Sequence, residues 1–570
     1  MTVTQLLDQF QGDLWRSLEI FVPELILSAT VVLLLLSRLF NLDRVLPACW
    51  IALFGGLAAF LAVFAQFAYL RTGGGPTGML SWVTSAFCLS EAGVGTSGPY
   101  FTGLMMHDSL AVFFRLGLML FLVLTTSLTV LTGIPDQEDG PDFYTLLVGS
   151  SVGMLMAAGV NHLLMAFLAI EMISVPSYAM VGFLKGRRQS SEAALKYVVY
   201  GAGTAGVMLY GLSLLGGLLG TADFSLFAER FGLVMQGQAF SLANPTVIVA
   251  LLGIAMIFVG IAFKLSLVPF HFWCPDAFEG ASAEVAGFLS VASKAAVFAL
   301  LVRFVTSFSG GTEVVRQLST YLGLSLGVVA AFSMTLGNLS AYTQTNLKRL
   351  LAYSTIAHAG YMVMAVASLM VLSNAAPGAL GAGHDTRLES QIAIEGLVYY
   401  LAVYLFMNLT AFAVVAFLRN ETYREDIDSY DGLIAEGPWT KVLCVTLLFS
   451  FVSLVGIPPF GGFFAKFAIF RSTFVAGQIH PLLWGVLAVA AINTVISLFY
   501  YMRVLKAVFV NPRPARERRI ATPFTAGLFA VLLAVPIFLL GASHIQGRLS
   551  ETARYVATSL FPAEHSGTPK

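Results

Sequence analysis

FKLSLVPF, at Phe263–Phe270, and GIPPFGGFFAKF, at Gly456–Phe467, each set proline and lysine inside a run that is otherwise apolar. Proline has no N–H and clashes with the carbonyl four residues back, so Pro269 and the pair Pro458–Pro459 must free backbone groups. In hydrocarbon such groups persist only where protein or water satisfies them. Outward from these two points the chain reads as successive apolar segments, near 20–38, 47–70, 109–133, 143–159, 162–184, 192–219, 246–269, 284–306, 318–338, 349–372, 394–418, 440–470, 482–508 and 522–541. Most approach the ~20 residues that carry a helix across ~30 Å of hydrocarbon, about twice the length of a barrel strand. The expected fold is all-α: a polytopic membrane protein of about fourteen spans, with spans 7 and 12 broken.

Spans 7 and 12 lie five apart, and an odd offset reverses the direction in which the chain crosses the bilayer. Matching interrupted spans in two halves point to inverted repeats around an ion site. A simple proline kink is the alternative for either span alone. The organisation expected is residues 1–140 as spans 1–3, 141–310 as a first five-helix repeat (spans 4–8), 311–510 as a second (spans 9–13), and 511–570 as the last helix and a polar tail.

Of the 570 residues, 57% are hydrophobic and only 11% charged, far from the roughly 25% charged usage of soluble domains. The 31 Lys+Arg balance 31 Asp+Glu, which leaves no basic footprint for nucleic acid; the partner is the lipid bilayer. Cys49, Cys88, Cys274 and Cys444 are far apart, without a C-x-x-C pair, and read as packing residues rather than metal ligands. The polar opening MTVTQLLDQFQGDLWR has no basic n-region or small-residue cleavage site, so no removable signal peptide is expected. Basic residues cluster after odd-numbered spans, at Arg44, Lys185/Arg187/Arg188, Lys348/Arg349, Arg419/Arg424 and Arg513/Arg516/Arg518/Arg519. The positive-inside rule then puts both termini outside. The acidic turn PDQEDGPD at Pro135–Asp142 and the Gly/Ser-rich 71–106 stretch are breaks without an assigned role.

A charged side chain at mid-membrane costs roughly 2.5–3.5 kcal/mol on insertion scales, so each needs a partner, water or a function. Six residues qualify: Glu171 in span 5, Lys196 near the start of span 6, Lys264 and Lys294 in spans 7 and 8, His358 in span 10 and Lys466 in span 12. Glu192 lies one turn before Lys196 on the same face. A structural ion pair or a snorkelling side chain explains any one lysine. Four lysines and a glutamate on helices that include both breaks fit a polar axis, in which lysine loads and releases a proton as its neighbours change. His358 suits a relay through its reference pKa of ~6.5, and hydrogen bonding to a backbone carbonyl is its alternative.

Other signals carry no chemistry. GAGTAG at Gly201–Gly206 matches a nucleotide-binding pattern but lies within a span with no strand before it, where small residues serve helix packing. The sequons at Asn338, Asn408 and Asn420 fall in or near spans or on the inner side, so no glycan is expected. Trp, Tyr and the 46 Phe read as membrane core and interface material.

The blocks LAIEMISVPSYAMVGF (Leu168–Phe183), SSEAALKYVVYGA (Ser190–Ala202), FKLSLVPFHFWCPDAFEGA (Phe263–Ala281), ASKAAVFALLVR (Ala292–Arg303), TNLKRLLAYSTIAHAGY (Thr345–Tyr361) and GIPPFGGFFAKF (Gly456–Phe467) resemble the NADH-quinone oxidoreductase subunit N family, the antiporter-like membrane subunits of respiratory complex I. The match covers about residues 100–510, and VPELILS (Val22–Ser28) extends it to span 1. The resemblance implies proton translocation coupled to NADH oxidation and quinone reduction in other subunits. It implies Glu171 and Lys264 as the carboxylate–lysine pair of the intake side with Lys196 nearby, Lys294 and His358 as a central axis, and Lys466 as the terminal lysine. It further implies no cofactor in this chain, with NAD, FMN, iron–sulfur centres and quinone bound by partner subunits. Neighbouring antiporter-like subunits are the implied partners, and a bacterial inner membrane the location. One departure stands out: EGASAEV (Glu279–Val285) replaces the family's EGAPTPV, with Ser282 and Glu284 where prolines are usual. A subunit of a multi-subunit cation/proton antiporter, or an inactive scaffold paralogue, are the competing readings.

Overall fold

The computed structural model describes residues 3–42, 46–72, 85–87, 89–135, 139–184, 186–376, 378–380, 385–514 and 520–560. Arg44, Lys185, Arg516, Arg518, Arg519, Cys88 and part of the acidic turn lie outside the described residues. The helices are α1 Val3–Ile20, α2 Val22–Leu39, α3 Ala48–Thr72, α4 Glu91–Val94, α5 Ser109–Thr132, α6 Gly140–Ala158, α7 Leu163–Val181, α8 Arg188–Leu219, α9 Phe227–Val234, α10 Pro245–Leu265, α11 Trp273–Gly280, α12 Ala283–Thr306, α13 Glu313–Ala341, α14 Leu347–Ser373, α15 Thr386–Thr422, α16 Pro438–Val455, α17 Gly461–Ile479, α18 Leu482–Phe509, α19 Phe524–Leu539 and α20 Ser543–Thr558. A two-stranded antiparallel hairpin, β1 Gly98–Tyr100 with β2 Met105–His107, is the one sheet among the described residues.

Twelve helices among the described residues are long and apolar enough to cross a membrane, or thirteen if α19 and the helix that follows it at a 79° bend count as one span. All fourteen expected segments are helical. The shortfall arises where glycine and serine dilute the apolar run, as in GPDFYTLLVGSSVGMLMAA of α6, or where α19 has only 16 residues. Both ends of the chain differ from expectation: the polar opening forms α1, and most of the polar tail forms α20.

The core lies where α12, α14 and α15 meet, and nearly every residue of α14 is buried. A helix apolar on every side belongs inside a bundle rather than at its surface. The outer helices α2, α8, α18 and α19 instead turn leucine, valine and phenylalanine outward, as lipid contact requires.

Ion pairs sort the loops to two ends. At one end, called here the Asp276 end, Arg38 meets Asp142 at 2.6 Å, Lys348 meets Glu425 at 2.9 Å and Arg349 meets Asp276 at 2.6 Å. At the opposite Asp108 end, Arg303 meets Asp108 at 2.6 Å, Arg554 meets Glu395 at 3.1 Å and buried Arg115 pairs with buried Glu24. Both terminal helices sit at the Asp108 end. Arg16 of α1 bonds Thr96, and Tyr555 of α20 donates to the Leu70 carbonyl at 2.6 Å.

Candidate functional site

Both expected breaks occur, and each is built from the same local chemistry. In the first, α10 stops at Leu265, Ser266 takes the left-handed conformation at φ 58°, and the Leu267 N–H reaches back to the Ala262 carbonyl at 2.8 Å. In the second, α16 stops at Val455, Gly456 takes φ 90°, and the Ile457 N–H reaches back to the Val452 carbonyl at 3.1 Å. Each is a left-handed helix cap: the first uses the Ala262 and Phe263 carbonyls, the second that of Val452, and side chains supply further donors to the carbonyls at the break.

Those side chains include a tryptophan and a lysine. The Trp273 indole N–H of α11 donates to the Phe263 carbonyl at 2.9 Å, bridging the first break. The Lys466 ammonium of α17 donates to the Val455 carbonyl at 2.9 Å, bridging the second, and stands 4.6 Å above the Tyr361 ring. Lys264 lies in the last turn of α10, where the helix dipole favours a cation. It is 1% exposed, donates to the Tyr197 hydroxyl at 3.2 Å and lies within 5.6 Å of the Tyr178 ring centre. Tyr197 in turn stacks on Trp273 at 4.1 Å.

Glu171, on α7, is partly exposed, and no ion pair joins it to Lys264 among the described residues. Lys196 takes a different course. It precedes Tyr197 on α8, yet its side chain is 42% exposed and its ammonium sits between Glu192 and Asp276, 2.9 Å from each. Arg349 adds contacts to Asp276 at 2.6 Å and Glu279 at 2.7 Å. The structure thus joins Lys196 to a charged cluster at the Asp276 end rather than to Lys264.

Lys294 of α12 is buried and forms no ion pair with a carboxylate among the described residues; its ammonium reaches the Thr355 carbonyl at 3.4 Å. His358, one turn further along α14, shares a hydrogen bond of 2.6 Å with the Tyr400 hydroxyl and a longer one of 3.5 Å with Tyr501. Tyr501 meets Ser354 at 2.5 Å. Asn408 donates to the Ser290 hydroxyl at 2.6 Å and to Tyr404 at 3.1 Å. Lys294, His358 and Lys466 therefore lie in one interior in which buried hydroxyls and amides supply the polar surface.

These tyrosines lie in the core as the sequence reading has them; what that reading missed is that their hydroxyls also line the polar interior. Tyr400, Tyr404 and Asn408 stand four residues apart on one face of α15, and that spacing is the signal available in the sequence. The reading of Lys348 is corrected: it is 1% exposed and bonds Glu425 and the Ala281 carbonyl rather than lying in a loop. The sequon residues Asn338 and Asn408 are fully buried, and Asn420 donates to the Thr132 carbonyl at 2.8 Å. Among the described residues no group of three or more His, Cys, Asp or Glu side chains is placed to hold a metal ion.

A bundle of membrane-crossing helices with two interrupted spans, each holding a buried lysine at its break, defines the antiporter-like class of ion-translocating membrane protein. Residues 160–496 match the family described as NADH:quinone oxidoreductase/Mrp antiporter, TM. The chain is 36% identical over 452 residues to NADH-quinone oxidoreductase subunit N of Anaeromyxobacter sp. (strain Fw109-5), covering 76% of this chain and 82% of that one. It is 33% identical over 542 residues to subunit N 2 of Sorangium cellulosum (strain So ce56), covering 92% and 94%. A chain of respiratory complex I from Thermus thermophilus superposes with a TM-score of 0.67 at 27% identity, covering 93% of this chain and 98% of that one. The chain belongs to the NADH-quinone oxidoreductase subunit N family, the antiporter-like membrane subunits of complex I.

Proposed function

We propose that this subunit translocates protons through a relay of Glu171, Lys264, Lys294, His358 and Lys466, driven by NADH oxidation and quinone reduction in partner subunits. The observation that carries the proposal is the burial of three lysines, Lys264, Lys294 and Lys466, each against a hydroxyl or a carbonyl instead of a carboxylate. An ammonium without a counter-ion in low dielectric is poised to lose its proton when the local field changes. Glu171 supplies such a field to Lys264, and tyrosine and asparagine groups fill the space between the lysines. Lys196 serves in this reading at the mouth of the pathway, in the cluster with Asp276 and Arg349.

In this reading the chain comprises two inverted five-helix repeats, at residues 141–310 and 311–510, flanked by 1–140 and 511–570, and the similar breaks support it. With the basic ends of the spans facing the cytoplasm, the Asp276 end is cytoplasmic and both termini face outside a bacterial inner membrane. The redox groups belong to partner subunits, and neighbouring antiporter-like subunits abut this chain. The test is Lys264→Arg in the assembled complex, with acidification of inverted membrane vesicles followed during NADH oxidation. Loss of acidification with intact assembly is expected; full acidification refutes a proton-carrying role for Lys264.

A further inference from the structure

Glu284 is a buried charge to which the relay proposed above gives no role. It sits in the first turn of α12 and is 1% exposed, and its Oε2 has no hydrogen-bond partner. A structural carboxylate at this place would cap the helix or close an ion pair. Neither role is open: Ser282 already caps α12 by accepting the Val285 N–H at 3.3 Å, and the Lys348 ammonium is committed to Glu425 at 2.9 Å and to the Ala281 carbonyl at 2.6 Å. Lys348 nonetheless lies within the electrostatic reach of Glu284. A buried carboxylate oxygen without a partner is costly.

Two polar regions flank Glu284. On one side is Glu425, whose side chain is 14% exposed and leads from solvent to Lys348. On the other is Lys294, ten residues along the same helix and roughly 15 Å away at 1.5 Å per residue. Ser290 stands one turn before Lys294 on the same face of α12 and accepts from Asn408, whose own Oδ1 is buried without a partner. Gly287 lies between them, and a methyl group added there would meet Phe412 of α15 at 3.1 Å. Gly287 and Ser290 therefore lie on the contact between α12 and α15, with Glu284 one turn before Gly287 and Lys294 one turn after Ser290.

We propose that Glu284 is a proton-carrying residue that links the Glu425–Lys348 cluster at the Asp276 end to Lys294, with Ser290 and Asn408 as the intermediate polar step. Its carboxylate takes up one proton as an N–H or O–H bond of the Glu425–Lys348 cluster breaks and a carboxyl O–H bond forms; that O–H bond breaks in turn as the proton passes by way of Ser290 and an N–H bond forms at the neutral Lys294 amine, with no change of oxidation state. The inference rests on the proposed function above and adds a residue to it.

The test uses the assembled complex in inverted membrane vesicles, with NADH oxidation and vesicle acidification recorded on the same sample. Glu284→Gln keeps shape and hydrogen bonding but cannot carry the proton, and should lower acidification per NADH by at least about tenfold, a modest loss for a proton-transfer group. Glu284→Asp should recover part of it. Infrared difference spectra during turnover should show a buried carboxyl C=O band that disappears in Glu284→Gln, a signature that a purely structural residue would not give. Parent-like acidification in Glu284→Gln beside a defective Lys294→Arg overturns this inference and leaves the proposed function standing. Parent-like acidification in both overturns the two together. Should Glu284→Gln fail to assemble, absence of the carboxyl band change in Glu284→Asp overturns the inference as well.

Discussion

Replacing Lys466 by arginine separates a fixed charge from a proton carrier. Lys466 is 5% exposed, donates to the Val455 carbonyl freed at the break, and stands over the Tyr361 ring. Arginine keeps the positive charge, the donor and the attraction to the ring, so a structural cation survives the change. A proton carrier does not. The reference pKa rises from ~10.4 for lysine to ~12.5–13.8 for arginine, and at ~1.36 kcal/mol per unit deprotonation becomes harder by about 3–5 kcal/mol, or roughly 10²- to 10³-fold. The site is tight, since a Cβ built at Gly456 would already lie 3.0 Å from Lys466 Cδ, so assembly is checked first on a native gel stained for NADH dehydrogenase activity. The readout is then vesicle acidification per NADH oxidised. The expected result is an assembled complex whose acidification falls below one tenth of the parent value. Acidification within twofold of the parent would refute the argument and reduce Lys466 to a structural charge.

Three further outcomes follow from the geometry. Gly456→Ala forces a side chain into φ 90° and against Lys466, which should cost about 1–2 kcal/mol and lower the thermal midpoint of the detergent-solubilised complex; an unchanged midpoint and unchanged pumping would show that the cap relaxes freely. Arg115→Met strands the buried Glu24 carboxylate and leaves the Tyr100 hydroxyl without its donor, so a loss of about 3–5 kcal/mol and poor assembly are expected, to be read from the yield of intact complex against Arg38→Met at the partly exposed Arg38–Asp142 pair. His107, in the hairpin outside the spans, is buried and bonded to the Val94 carbonyl, and its burial brings the imidazole pKa down to about 4. The unfolded chain then binds more protons between about pH 6.5 and about 4, so stability present at neutral pH is lost as the pH falls through that window; His107→Gln should flatten the drop in thermal midpoint between pH 7.5 and pH 5.

The legible part of the site was its cost. Lysine in an apolar run cannot be explained by propensity, and Lys264, Lys294 and Lys466 are all buried as their neighbours imply. The two breaks were legible for the same reason, because proline removes a backbone donor where no water replaces it. Tyr197, Tyr400, Tyr404 and Tyr501 were not: tyrosine is ordinary in membrane helices, and only the partners of its hydroxyl separate packing from a polar pathway. Lys196 shows the limit of reading a residue by its neighbours in sequence. Successive positions on a helix point about 100° apart, so Tyr197 faces Lys264 while Lys196 faces Glu192 and Asp276.

Polar groups also hold the breaks in place, which ties the architecture to the chemistry. A lysine that bridges a broken helix through a backbone carbonyl, as Lys466 does, must loosen that bridge when it loses a proton, because a neutral amine donates a weaker hydrogen bond than an ammonium. The α16–α17 joint is thereby coupled to the protonation state of its own lysine. At the first break the bridging donor is the Trp273 indole, which does not titrate, and Lys264 rests on Tyr197 instead. The two breaks resemble each other in backbone geometry yet differ in what a proton does to them: deprotonating Lys466 acts on a helix joint, whereas deprotonating Lys264 acts on an aromatic stack. Trp273→Phe removes the non-titrating bridge and leaves the stack, so it should loosen the first break with little effect on the second. Backbone hydrogen exchange of Phe263–Phe270 against Gly456–Phe467 in the assembled complex measures that difference, and equal acceleration in both segments would show that the joints are not independent.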